Sequence, residues 1–553
     1  MVRIRVLFTL IIATATVAAR AENGPTVAFV EGRASDAAAQ GPLNDHGARD
    51  AAVPPASIEQ AATDSPADPK PAKPAEKPKP KKKPKPKTNP ATTAYKGVYY
   101  DNDFSYLNDP ENQDVYLGDL LKQIKTTPNS VLDMGGEYRM RDHHEFNFRN
   151  SGPVGSNLKG LSDDFLLQRE RLYVNWRYGK RFRFYGEAIN ATSSFQRYTP
   201  RNIEVNPWDA LNLFVDGQLL DGARGELWGR GGRQELLYGA QRLISPLDWV
   251  NTRRTFDGGK MFWKGDEWNI DAFWTEPVLP GQHILGSTGP TTGRITHEFD
   301  HPDSGQMFAG TYATYKGIKD HALDYFYLLY LEDKAPNIEN AIFAKNFVAN
   351  TFGTRFFGRQ GSWLYEIEGG YQFGTWGNGI QSSGYYVLGG GYELSERPWK
   401  PTLWTYYDWA SGNRNPNSAN HGTFIQMFPF AHKYFGFMDL VARQNIRDLN
   451  FQLTATPNNK TTLLAWYHIF ELDQARDSLY NSQGLAIRTD PTGKSGRNVG
   501  QEIDATVQYQ INPRADVLIG YSHFFAGSFV KNTNPVGVSG NADFYYSQWS
   551  YRF

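Results

Sequence analysis

The chain has 553 residues, 14% aromatic, with 53 glycines, 31 tyrosines, no cysteine and a mean hydropathy of −0.56. That balance is too aromatic and glycine-rich for a typical soluble enzyme and too polar for a helical membrane protein, and the lack of cysteine excludes disulfide frameworks, thiolate metal sites and an acylated N-terminal cysteine. Formal net charge is zero, but nine lysines and one glutamate sit within residues 70–87, so the rest of the chain holds more acids than bases and its arginines are not by-products of a basic protein.

Arg3 and Arg5 precede the apolar run VLFTLIIATATVAA, which ends at Ala19-Arg20-Ala21. The run is too short to span a bilayer and ends on small residues, so residues 1–21 read as a cleaved export signal; a membrane anchor is the alternative. Residues 22–98 read as a disordered periplasmic linker rich in Ala, Pro and Lys, which lacks the apolar surface to fold. Its alternating Lys-Pro stretch favours polyproline II and would reach roughly 60 Å. Binding of the lysines to an anionic cell-wall polymer and a plain solvated spacer are both open readings. Residues 99–130 form a short pre-barrel segment, with a helix expected over 114–128 because Leu117, Leu120, Leu121 and Ile124 recur at helical spacing.

From residue 131 the pattern switches to period two. GEYRMRDHHEF sets Glu137, Arg139, Arg141 and His143 against Tyr138 and Met140; RLYVNWRY sets Arg171, Asn175 and Arg177 against Leu172, Val174, Trp176 and Tyr178. In SWLYEIEGGYQFG, Glu366, Glu368 and Gln372 oppose Trp363, Tyr365, Ile367, Tyr371 and Phe373; in GQEIDATVQYQ, Glu502, Asp504, Thr506 and Gln508 oppose Ile503, Ala505, Val507 and Tyr509. One apolar face and one ionisable face over about ten residues is the pattern of a transmembrane strand. A soluble sandwich also alternates, but the chain ends in DFYYSQWSYRF, with Tyr545, Trp549, Tyr551 and Phe553 on one face. On a soluble protein that row would be an aggregation-prone edge. On an outer-membrane barrel it resembles the terminal signal read by the barrel assembly machinery. The expected fold is all-β: a transmembrane antiparallel β-barrel over residues 131–553, about 18 strands at ~23 residues per strand and loop, in the bacterial outer membrane with the N-terminal segment in the periplasm.

No enzyme is expected. His468 and His432 are candidate bases, but no nucleophile signature accompanies them and no G-x-S-x-G occurs, so a structural or ligand-contact role is favoured for both. The Asn-rich stretch 410–422 has carbonyls for a calcium ion but no carboxylate, and no metal-ligand spacing occurs elsewhere. Neither a cofactor nor a nucleic-acid partner is expected.

GRQELLYGAQRL with RTFDGGKM, then KPTLWTYYDWASGN, GTFIQMFPFAHKYFGFMDL and QNIRDLNFQL, resemble in order the blocks of the alginate export porin family. The resemblance implies an 18-stranded barrel whose lumen is narrowed by loops and lined by arginines with interspersed acids, passing polyuronate outward. It implies substrate-path roles for Arg139, Arg141, Arg169, Arg171, Arg233 and Arg254, or Arg253 in its place. The acids Glu366, Glu502 and Asp504 on the ionisable face complete the path. Guanidinium groups offer bidentate contacts to carboxylates at any relevant pH, while nearby acids keep the polymer from being held too tightly. The opposite reading is that arginines pair with acids and only stiffen the wall. The sequence departs from the family at Asn413, Arg414 and Asn415, where an Asp-rich turn is usual, and in the Lys-Pro extension. The expected function is an anion-selective channel for an acidic polysaccharide; a general porin for small anions or sugars and an envelope tether are the alternatives. Because Arg253 and Arg254 are adjacent, period two sends only one inward, unless Gly258-Gly259 marks a bulge.

Overall fold

The computed structural model describes residues 89–112, 114–149, 158–278, 299–302, 304–333, 345–535, 538 and 540–553. The expected signal peptide and the Lys-Pro tract lie outside the described residues. Period-two sequence produces long strands: β1 (Ile124–Thr127), β2 (Ser130–Arg149), β3 (Leu161–Tyr178), β4 (Phe182–Ser194), β5 (Asn206–Gly222), β6 (Gly225–Gln234), β7 (Thr255–Gly265), β8 (Trp268–Val278), β9 (Gln306–Tyr315), β10 (His321–Glu332) and β11 (Phe347–Gln360). They continue as β12 (Trp363–Trp376), β13 (Gly379–Glu393), β14 (Thr402–Ala410), β15 (Ile446–Asn458), β16 (Thr461–Leu472), the short hairpin β17 (Ser478–Tyr480) and β18 (Ala486–Thr489), β19 (Asn498–Asn512), β20 (Ala515–Ala526) and β21 (Ala542–Arg552). A single helical turn, α1 (Ser528–Thr533), precedes the last strand.

Each long strand pairs antiparallel with its neighbour, and β21 returns to β2 in register from Glu137↔Arg552 to Phe146↔Asp543. The result is a closed 18-strand antiparallel barrel, with β1 as a short arm on β2. Closure removes the exposed edge that the aromatic last strand would otherwise present. Connections are short at one end, as at 179–181, 223–224 and 459–460, and mostly long at the other.

The two faces are those the alternation predicts. Leu172, Val174, Ile367, Tyr371, Ile503 and Val507 are exposed on the outside, whereas Glu137, Arg139, Arg141, Arg171, Glu366, Glu368, Glu502 and Asp504 are buried within. In β21, Tyr545, Trp549 and Tyr551 alternate with the buried Phe544, Tyr546, Gln548 and Ser550.

Two expectations are corrected. The linker expected over 22–98 ends early: Pro90–Thr93 forms a 3-10 turn, and Ala94, Tyr95 and Val98 are buried against the barrel. Tyr95, Tyr99, Tyr100 and Phe104 form an aromatic cluster with Tyr173, Tyr185 and Phe214, which supplies the apolar burial that the preceding Lys-Pro tract lacks. The helix expected over 114–128 is a single 3-10 turn, Asp119–Leu121, followed by β1. Gly118 stops it: its φ is +94°, and a Cβ there would stand 2.6 Å from the Phe553 carbonyl carbon.

The β6–β7 register runs unbroken through Gly232↔Gly258 and Gly231↔Gly259, so the glycine pair marks no bulge. Gly258 lies at φ +154° with its Cα hydrogen facing the Trp274 carbonyl, where a Cβ would be 2.3 Å away. We expect Gly258→Val to lower unfolding free energy by about 1–3 kcal/mol, the cost of a strained backbone. Denaturant titration in bilayers, followed by tryptophan fluorescence, reads this; an unchanged midpoint would refute the close-approach argument.

Candidate functional site in the barrel interior

Among the described residues, the segments that most decide what the inward side chains face are residues 89–107, the connection 235–254 between β6 and β7, and the connection 411–445 between β14 and β15. The two connections are apolar where they meet, with Leu243, Ile244, Trp249, Phe424, Phe428, Phe435 and Leu440 all buried in one cluster. They hydrogen-bond to one another: Ser245 N donates to Phe428 O at 2.9 Å and Phe428 N to Leu243 O at 3.0 Å, an isolated parallel bridge, and Phe430 N donates to Gln241 O at 2.9 Å. Trp249 stacks on His432 with ring centres 3.8 Å apart.

Connection 235–254 reaches the β2–β4 wall and meets the arginines there. The Arg139 guanidinium donates to the backbone carbonyls of Asp248 (2.8 Å) and Val250 (2.6 Å). Arg141 lies 3.7 Å over the Trp249 ring. Arg169 pairs with Glu137 at 2.7 Å and Asp248 at 2.8 Å, and Arg171 with Glu187 at 2.7 Å. Arg253 pairs with Glu235 and Asp248 and donates to Gly97 O at 2.9 Å. From the other side Tyr99 caps the cluster: its hydroxyl donates to Glu137 at 2.7 Å, and Arg171 stacks 3.8 Å over its ring. Arg169 and Arg171 are both 0% exposed. Taking several guanidinium groups out of water costs several kcal/mol each unless they are paired, and here acids, carbonyls and aromatic faces do the pairing.

The remaining site candidates fall as follows. Arg233 is corrected: it sits opposite Leu213, which is 51% exposed on the outer face, so the register turns Arg233 outward, where it pairs with Asp257 at 2.8 Å and donates to Asp300 O. The choice between Arg253 and Arg254 dissolves, because both precede β7 and lie in the in-folded connection, where strand period does not apply. Arg254 donates to Ser245 O (3.2 Å) and Pro429 O (3.3 Å), and burial pulls its guanidinium down to about 10. Glu366 receives Arg242 at 2.7 Å and Arg355 at 2.6 Å, so β12 anchors one in-folded connection. Glu502 accepts from Met438 N (3.0 Å) and Asp504 from Phe437 N (3.3 Å), so β19 anchors the other. His468 is fully buried with Nδ1 2.9 Å from Asp448.

Two cavities among the described residues bear on the site. One, about 50 Å³, lies toward the long-loop end among Arg141, His143, Arg201, Glu204, Trp249 and Phe437. The other, about 180 Å³, lies toward the short-turn end against β6–β11. Lys96, Arg230, Lys260, Lys264 and Arg355 line it, interleaved with Tyr100, Tyr238, Phe262, Trp263 and Tyr312. Sequence reasoning missed these cations. The signal was available in the inward parity of Arg230, Lys260 and Phe262 across the β6–β7 pair, with Lys260 next to the Gly258-Gly259 step. Among the described residues no group of His, Asp and Glu side chains is arranged to hold a metal ion.

The family model for alginate export matches residues 130–541. The chain belongs to the alginate export family. Residues 95–106, which cap the arginine cluster, precede the matched region. Solved structures of similar architecture include OprD of Pseudomonas aeruginosa (9% identity, 78% of this chain and 96% of that one, TM-score 0.46). OccD3 (OpdP) of the same organism shows 10% identity, 76% and 91% coverage and a TM-score of 0.46. A BenF-like porin of Pseudomonas fluorescens Pf-5 shows 9% identity, 76% and 98% coverage and a TM-score of 0.46. A comparison with curated proteins finds no match. This alginate-export barrel is a channel of the bacterial outer membrane and not an enzyme.

Two outcomes follow from the interior geometry. Arg242→Met removes the buried partner that Glu366 and Glu368 hold on connection 235–254, and should cost about 3–5 kcal/mol and expose that connection to protease; retained protection would rule out the anchoring role. At the long-loop end, burial disfavours ionised Glu204, but Arg201 and Arg149 outweigh it and hold the carboxyl below the usual 4.5. A depressed carboxyl stabilises the fold above pH 4.5 and loses that contribution as pH falls below it. Protection of residues 195–205 from proteolysis should therefore fall below pH 4.5 in the native chain and fall less in Glu204→Gln, where Glu145 still pairs with Arg201 and Arg149.

Proposed function

We propose that the barrel is a passive, anion-selective channel carrying an alginate-like polyuronate from periplasm to exterior, with the short-turn end and the N-terminal segment in the periplasm. That orientation is the usual one for outer-membrane barrels, which keep short turns inside and long loops outside. The observation that carries the reading is the cleft of about 180 Å³ at the short-turn end, where Lys96, Arg230, Lys260, Lys264 and Arg355 alternate with broad aromatic faces. Cations select carboxylates, and aromatic rings offer apolar surface to pyranose faces. Most of these cations already hold an acid, Arg230 with Asp216 at 2.7 Å and Lys260 with Asp271 at 2.9 Å. A uronate therefore exchanges with a resident carboxylate and gains only a modest net affinity at each step, as conduction requires.

The arginine cluster of β2 and β3 fits the same reading as a second station. Asp248, on the in-folded connection, holds the position a uronate carboxylate would take against Arg169 and Arg253. Passage there requires Asp248 and Tyr99 to yield, so Arg139, Arg141, Arg169, Arg171, Arg253 and Arg254 serve the closed state as locks and the open state as rungs. In this reading the aromatic row ending at Phe553 addresses the barrel to its assembly machinery, and the Lys-Pro tract extends toward the cell wall.

In planar bilayers, oligouronates should block single-channel current while neutral oligosaccharides of equal length do not. Arg230→Ala and Lys260→Ala should each raise the blocking concentration about tenfold, or about 1.4 kcal/mol per lost contact. Deleting residues 89–107 should raise conductance. Equal block by neutral and charged oligomers would favour a general porin, and a barrel that never conducts would favour an envelope tether.

A further inference from the structure

Residues 115–121 form a surface that the channel reading leaves unused. Val115, Leu117 and Leu120 are 69%, 77% and 86% exposed, and Leu121 is also exposed. A folded chain does not ordinarily leave this many adjacent aliphatic side chains in water without a partner surface. Their position in the fold identifies that surface. The Tyr551 hydroxyl donates to Leu117 O at 3.3 Å, and Tyr551 belongs to the outward face of β21, in line with Trp549. Gly118 packs directly on the Phe553 backbone, so the segment crosses the barrel rim beside the last strand. Tyr509 and Ile511, exposed at the same short-turn end of β19, continue the outward apolar row.

The inner side of the segment is polar and tightly fixed. Asp119 is buried and pairs with Arg514 at 2.8 Å, its carboxylate accepts from Tyr116 N at 2.8 Å, and Lys122 donates to Phe553 O at 3.0 Å. The leucines are therefore held outward by a defined turn, on a level with interfacial aromatics.

We infer that Val115, Leu117 and Leu120 dock into the lipid interface at the short-turn rim of the barrel, making residues 115–121 a membrane clip. The clip lies between the aromatic cap, residues 95–106, and the first barrel strand. It fixes the cap's C-terminal end to the bilayer, while the cap's N-terminal end continues into the linker. Lipid is the occupant that the continuity with the lipid-facing belt selects: aliphatic side chains joined to Trp and Tyr at the edge of an apolar band are the interfacial pattern of membrane proteins. The inference rests on the membrane location of the barrel and not on the identity of the transported polymer.

The chain has no cysteine, so a single introduced one is labelled cleanly. The test places a nitroxide at Leu117→Cys and, separately, Leu120→Cys in the full-length protein reconstituted in phosphatidylethanolamine and phosphatidylglycerol vesicles. Collision with oxygen, which concentrates in lipid, is compared with collision with a water-soluble nickel chelate. Val507→Cys on the outer face is the lipid reference, and Lys494→Cys in the exposed connection 473–497 is the water reference. Both clip positions should follow Val507, with oxygen collisions exceeding nickel collisions, and should revert toward the Lys494 pattern when Gly118→Val displaces the turn from Phe553. Clip labels that follow Lys494 in the native turn would overturn the inference, as would labels shielded from both reagents, which would mean a protein partner. If Val507 itself follows Lys494, the membrane placement of the barrel fails, a result distinct from failure of the clip.

Discussion

Desolvation of charge is the constraint on which this interior depends. An 18-strand barrel is wide enough to enclose water, and its inward positions are chosen as if for water: arginines, glutamates, aspartates and glutamines at alternate residues. Two long connections and the N-terminal segment then enter and displace that water. Every charge they cover must find a partner, because each uncompensated buried guanidinium would cost several kcal/mol, a large fraction of a domain's typical margin of stability. The pairing of Arg169 with Glu137 and Asp248, and of Arg242 with Glu366 and Glu368, is therefore a consequence of how the connections fold.

The same pairing ties the in-folded connection to the barrel wall, because Arg169 is held at once by Glu137 of β2 and by Asp248 of connection 235–254. The apolar contacts between connections 235–254 and 411–445, with Trp249 stacked on His432, make them one body, held to the wall by Glu366 on one side and by Glu502 and Asp504 on the other. In the larger cleft, lined by β6–β11 and residues 96–101, Lys264 is exposed, whereas Arg230 is buried against Asp216 and Lys260 pairs with Asp271.

Legibility in the sequence followed the physics of each feature. Alternation exposed the strands and their inward faces, because a pleated backbone sends successive side chains to opposite sides whatever surrounds it. It gave correct orientation for Arg139, Arg171, Glu366, Glu502 and Asp504. It did not apply at Arg253 and Arg254, which lie in a connection, and the lumen role that the family resemblance implied for Arg233 gives way to its register with Leu213, which turns it outward. The aromatic run from Tyr95 to Phe104 carried a readable sign of folding that the adjoining Lys-Pro composition obscured. At residues 114–128, helical spacing of leucines was outweighed by Gly118 at positive φ against Phe553.

By itself, the sequence determined the class of the molecule: a closed antiparallel barrel with an apolar exterior and an ionisable interior, because period-two patterning and an aromatic last strand admit few other arrangements. Only the tertiary structure decided whether the inward charges meet solvent or protein. That outcome depends on contacts between residues far apart in the chain, such as Tyr99 with Glu137, Arg242 with Glu366 and Asp248 with Arg169, and no local pattern encodes which connection folds inward or which wall it reaches.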